Sequence, residues 1–183
     1  MRTMLVGILA TFLTTGAVSA QRLHQGFWIG FAPGGVGLSD GEGLVYPLHL
    51  RLGGTPDQRV LVGFEWFGVI LDDHPGTVAE NYSATALFYP SRKGGFFAKA
   101  GLGVGRAASR CPDAPVDVLW GVGATVGVGY DVRIGRNVYL IPTLDGFWQG
   151  AERILCPVPG QPDAGTVRAY SPAALFTVGL MWH

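Results

Sequence analysis

The sequence predicts an all-β chain, an eight-stranded antiparallel up-and-down transmembrane β-barrel that follows a cleaved signal peptide. Three observations lead there: a long stretch that alternates with period two, connections that alternate short and long, and an export signal at the N-terminus. The alternation is clearest in Leu119–Arg133, LWGVGATVGVGYDVR. Trp120, Val122, Ala124, Val126, Val128, Tyr130 and Val132 make an apolar face, and the residues between them are small or polar. Successive Cβ atoms of a strand point to opposite sides, so this is strand periodicity. A helix would not sort these residues, and each of its glycines would cost a helix about 0.8–1 kcal/mol against alanine. Aromatic residues stand at both ends of the bulky face with aliphatics between them, which is how a strand in lipid is laid out.

Composition agrees. The 183 residues suit one domain, and 13 basic against 13 acidic residues give no net charge, which argues against nucleic acid as a partner. The 29 glycines follow no collagen period, and a hydrophobic content of 48% is too high for disorder. Beyond the first twenty residues, no run of about 18 apolar residues escapes interruption by Gly, Pro or charge, so any membrane crossing is made by strands. Residues 1–20 read as the signal peptide: a basic start at Arg2, an apolar run Met4–Leu13, and small residues Val18-Ser19-Ala20 before Gln21. The mature barrel domain is then expected over residues 21–183, exported to the outer membrane of a bacterium.

The first strand is placed near Phe27–Val36, its register left open because both faces carry an aromatic. The second, Tyr46–Leu52, sets Tyr46, Leu48, Leu50 and Leu52 against His49 and Arg51. The third, Val60–Val69, sets Val62, Phe64 and Trp66 against Leu61, Gly63 and Glu65; the fourth is Tyr82–Tyr89. The fifth, Gly95–Arg106, sets Phe96, Ala98, Ala100, Leu102 and Val104 against Lys99 and three glycines. The sixth is Leu119–Arg133, the seventh Asn137–Trp148, and the eighth Ala173–Trp182. Each is close to the 9–11 residues of a tilted membrane-crossing strand. Connections after the even strands are short (Gly53–Gln58, Pro90–Gly94, Gly135-Arg136), and those after the odd strands are longer. Outer-membrane barrels have that asymmetry, with the long loops outside.

Depth and sidedness follow. Tyr46, Trp66, Tyr82 and Trp120 fall at the outer ends of the lipid-facing rows, and Phe88, Phe96, Tyr130 and Trp182 at the inner ends, giving two interfacial belts. Arg51, Lys99 and Arg133 share inward parity with Glu65, Asp131 and Asp145. A cation on the lipid face at the midplane would cost about 2–4 kcal/mol. Eight strands enclose a space that side chains fill, so these six are expected to form a polar plug.

With the signal peptide, the alternating strands, the loop asymmetry and the terminal strand Ala174–Trp182 in place, the chain resembles the small eight-stranded outer-membrane barrels of the OmpA and OmpX type. The resemblance implies an outer-membrane location, insertion by the outer-membrane assembly machinery, and structural, adhesive or stress-related roles. Family members usually end in an aromatic residue; here Trp182 is penultimate and His183 is last.

Few residues suggest chemistry. Cys111 and Cys156 fall in the third and fourth long loops, between neighbouring strands of an exported chain, and are expected to form a disulfide. It would close a loop of about 45 residues and contribute on the order of 3–4 kcal/mol. Asp72-Asp73-His74 reads as a solvated acidic loop, with too few fixed ligands for a metal site. Gly101-Leu102-Gly103-Val104-Gly105 lacks the helix that a nucleotide loop requires. No cofactor is expected, and no catalytic set is placed together, although Ser83 and His49 share inward parity. The expected function is non-enzymatic: structural, adhesive, or binding through the loops, with outer-membrane lipids and lipopolysaccharide as partners. Three alternatives stand beside it: a lipid-modifying barrel enzyme, a narrow solute channel, and a secreted soluble lipocalin-like barrel.

Overall fold

The alternating stretches form strands β1 (Gly26–Ala32), β2 (Gly35–Ser39), β3 (Gly43–Asp57), β4 (Val60–Leu71), β5 (Val78–Phe88), β6 (Phe96–Ser109) and β7 (Asp117–Tyr130). They continue with β8 (Val132–Arg133), β9 (Val138–Gln149), β10 (Glu152–Ile154), β11 (Thr166–Arg168) and β12 (Ala173–Trp182). This computed structural model describes residues 25–39, 43–71, 78–109, 117–150, 152–154, 166–168 and 173–183. The signal peptide, Cys111, Cys156 and the Asp72-Asp73-His74 loop lie outside the described residues.

The main sheet closes on itself. β1 and β2, together one barrel strand, pair with β3 on one side and β12 on the other, and β3 to β7, β9 and β12 complete an antiparallel ring of eight. At the seam Phe31 faces Leu180 and Gly35 faces Thr177, so four steps on one strand match three on its partner. That is a β-bulge, and it falls at Pro33, which has no N–H to give the ladder. β10 and β11 form a separate small hairpin within the segment between β9 and β12.

The strands run longer than the sequence reading placed them. β3 continues through Gly53 and Gly54, with a register shift between Gly54 and Asp57, and only Gln58-Arg59 turns. Arg59 N donates to Asp57 Oδ1 at 2.9 Å, the local bond that closes this turn. β5 starts at Val78, taking Glu80 out of the expected loop and into the sheet.

Strand one's register is settled by its tryptophan. Trp28 is buried and its indole donates to Gly54 O at 3.0 Å, while Phe27, Ile29 and Phe31 face outward. The interior is layered. Near the inner turns Trp28, Leu61, Leu87, Tyr89, Phe97, Tyr139, Ile141 and Met181 pack together. Towards the other end Phe67, Val69, Phe147, Ala173 and Leu175 form a second cluster. His49, Arg51, Glu65, Lys99 and Asp145 lie between, so the main part of the expected polar plug has an apolar cluster on either side of it. The outward rows are apolar and open, with Leu102 71% and Val126 60% exposed.

Candidate functional site

The chemistry-bearing side chains meet in the middle layer. Inward parity on β3, β4, β6 and β9 brings His49, Arg51, Glu65, Lys99 and Asp145 into the lumen, all buried. Lys99 Nζ donates to Glu65 Oε2 at 2.6 Å and lies 3.0 Å from Asp145 Oδ1. Thr125 Oγ1 donates to Glu65 Oε1 at 2.8 Å, and His49 Nε2 lies 3.2 Å from Glu65 Oε2. Two rings enclose this set. Phe67 stacks on His49 with centroids 3.8 Å apart and lies 4.6 Å from Lys99 Nζ. The Arg51 guanidinium sits 5.6 Å from the centroid of Phe97. Gly127 makes the Lys99–Asp145 contact possible, since a Cβ there would collide with Asp145 Oδ1 and lie 3.1 Å from Lys99 Cε.

Of the six residues assigned to the lumen by parity, the structure brings Arg51, Glu65, Lys99 and Asp145 together in this layer. Asp131 is also buried, but at the inner end, where it accepts a hydrogen bond from Tyr89 Oη at 3.0 Å. Arg133 corrects the expectation: it is exposed. β7 ends at Tyr130, so the alternation does not continue to Arg133; its Nε donates to Gly135 O at 2.9 Å and its Nη2 to Arg136 O at 3.0 Å. Parity counting is valid only while the strand lasts.

Ser83 Oγ donates to Asn81 Oδ1 at 3.1 Å, and both Ser83 and His49 are buried between the apolar layers, away from either rim. Thr143 and Thr177 Oγ1 atoms share a hydrogen bond of 2.6 Å across β9 and β12. Among the described residues no group of His, Cys, Asp and Glu is arranged to hold a metal ion.

On the outward face the eight aromatics occupy the rows expected of them. Tyr46, Phe88, Phe96, Trp120, Tyr130 and Trp182 are exposed, and Trp66 and Tyr82 are half-buried. A polar cluster that sequence reasoning missed explains the last two. Glu80 and Arg106 are cross-strand neighbours on the outward rows of β5 and β6 and form an ion pair. Glu80 Oε1 accepts from Tyr82 Oη at 3.1 Å and from Trp66 Nε1 at 3.3 Å. Tyr82 lies 6.2 Å from Trp120, centroid to centroid. The available signal was parity: Glu80 lies two residues before Tyr82 and Arg106 two after Val104, so each continues an outward-facing row.

No family model matches the chain, and no curated protein matches it in sequence. Its fold is similar to that of solved structures. Neisserial surface protein A matches at 12% identity and a TM-score of 0.60, over 85% of this chain and 96% of that one. Further matches are the N-terminal barrel domain of Pseudomonas aeruginosa OprF (12% identity, TM-score 0.47, 86% and 98% covered) and Ail, the attachment invasion locus protein of Yersinia pestis (12%, 0.48, 86% and 96%). The chain therefore has the closed eight-stranded antiparallel fold of the small outer-membrane barrels.

Proposed function

We propose that this chain is an integral outer-membrane barrel without catalytic activity, sealed to solutes, whose role is structural, adhesive or binding through its outer loops. The observation that carries the reading is the inversion of a soluble protein's surfaces. Large apolar side chains such as Leu102, Val122, Val126 and Leu144 stand exposed outside, while Lys99, Glu65 and Asp145 are buried inside. Water would not tolerate so much contiguous apolar surface, and lipid requires it. Sealing is supported by the two apolar clusters, which flank Lys99, Glu65 and Asp145 along the barrel axis. Outer-leaflet lipids, including lipopolysaccharide, are the partners proposed for the outward face, and the assembly machinery of the outer membrane is the proposed route of insertion.

Cell fractionation with gel mobility before and after boiling tests the location; the chain should partition with outer membranes and migrate as a compact, heat-modifiable species. Val126→Arg separates the membrane reading from the lipocalin-like one. Val126 lies midway between Trp120 and Tyr130 on the outward row of β7. In lipid the substitution should destabilise the barrel by about 2–4 kcal/mol. In a soluble barrel an exposed arginine would stay within about 0.5 kcal/mol of neutral. Urea titration of barrels folded into vesicles reads the difference. Planar-bilayer recording should find no steady conductance, and a reproducible open level would remove the sealed-lumen reading.

A further inference from the structure

Zero net charge hides a separation of charge along the barrel axis. In the segments joining strands at the outer end the sequence places seven carboxylates, Asp40, Glu42, Asp72, Asp73, Asp113, Glu152 and Asp163, against three cations, Arg110, Arg153 and Arg168. The inner end is the opposite. Its three turns present Arg59, Arg92, Lys93, Arg133 and Arg136, all exposed, against one exposed carboxylate, Asp57. That carboxylate accepts the backbone N–H of Arg59 at 2.9 Å. The other side-chain carboxylate at this end, Asp131, is buried and turned to Tyr89 Oη, with His183 Nε2 4.0 Å away.

These turns are fixed with respect to one another. They join β3 to β4, β5 to β6 and β7 to β9, consecutive in the ring. Tyr89 N donates to Arg59 O at 2.7 Å, tying the first turn to the second strand pair. Asp131 N donates to Gly95 O at 2.8 Å, tying the second turn to the third. Arg133 is held by the carbonyls of Gly135 and Arg136, which fix its guanidinium without neutralising it. The arc sits immediately beyond Phe88, Phe96 and Tyr130, the exposed aromatics of the inner belt. Rings of that kind lie at the headgroup level, so the cations beyond them stand at the depth of lipid phosphates.

We propose that this basic arc is a docking surface for anionic glycerophospholipid headgroups of the inner leaflet, which hold the barrel at its depth in the membrane. The proposal rests on the membrane reading above and adds the leaflet, the lipid class and the residues. Charge complementarity selects the partner: a row of phosphates supplies the anions that the chain omits here, and guanidinium groups bind phosphate oxygens through paired N–H donors. Each cation at such a surface favours an anionic lipid by about fivefold.

The test uses the mature chain folded into phosphatidylcholine vesicles and the preference of spin-labelled phosphatidylglycerol over spin-labelled phosphatidylcholine for the barrel surface. Wild type should prefer phosphatidylglycerol, and high salt should abolish the preference. The triple variant Arg92→Gln, Lys93→Gln, Arg136→Gln changes only exposed turn residues and should lose most of it. Asp57→Asn should raise it, whereas Arg106→Gln at the opposite rim should leave it unchanged. Equal selectivity in the triple variant and wild type would overturn the proposal. So would a preference for isolated cell-wall sacculi, lost in the triple variant, without any lipid selectivity; the arc would then serve an acidic wall polymer. Heat-modifiable mobility is measured on every sample. A wild type that fails to insert refutes the membrane reading itself, whereas an inserted barrel indifferent to headgroup charge refutes the docking surface alone.

Discussion

Lys99→Met is expected to be the most damaging single substitution among the lumen residues, lowering stability by about 3–5 kcal/mol. Lys99 is the cation shared by Glu65, at 2.6 Å, and Asp145, at 3.0 Å, and all three side chains are fully buried. Methionine preserves most of the volume and leaves two buried carboxylates without the cation between them. Urea unfolding in vesicles, followed by heat-modifiable mobility, measures the loss. Adding Glu65→Gln and Asp145→Asn removes the orphaned charges and should recover more than half of it, because an unpaired buried ion costs more than the intact pair contributes. If Lys99→Met were neutral by itself, the middle layer would have to be hydrated and the lumen open.

Gly103→Val should cost about 3 kcal/mol, at the upper end of overpacking penalties. A Cβ at Gly103 would collide with the carbonyl oxygen of Tyr82 and lie 2.7 Å from Ser83 Cα, backbone atoms of β5 that have no rotamer to change. The strands would have to part, and in a closed ring one pair cannot part without disturbing the others. Leu102→Val, the adjacent residue on the outward side, serves as control and should stay within about 0.5 kcal/mol. Equal effects of the two substitutions in the same urea titration would mean that β5 and β6 do not approach so closely.

The Gly-rich run in β6 illustrates how far local pattern reaches. Period-two alternation identified it as a strand and put its glycines inside. It did not say which neighbour each glycine makes room for, since that depends on register across β5 and β7. The same limit explains Arg133. Its parity placed it with Lys99, but β7 ends at Tyr130 and the chain turns, and Arg133 binds the turn carbonyls of Gly135 and Arg136. Glu80 was mislaid for the converse reason: β5 reaches Val78 because β4 continues to Leu71 and supplies it with ladder partners.

The sequence by itself determined the strand class, the approximate strand spans and which face points outward, because a strand's side chains alternate regardless of what surrounds it. It also determined the outward parity of the eight aromatics and the inward parity of Arg51, Glu65, Lys99 and Asp145. Only the tertiary structure decided that Lys99 bridges the two carboxylates, that apolar clusters pack on either side of them, and that Trp28 points in while Phe27 points out. It alone set five cations on three turns joined by backbone hydrogen bonds. Those outcomes depend on which strands are neighbours and where each begins and ends, and ring closure fixes both through contacts far apart in the chain.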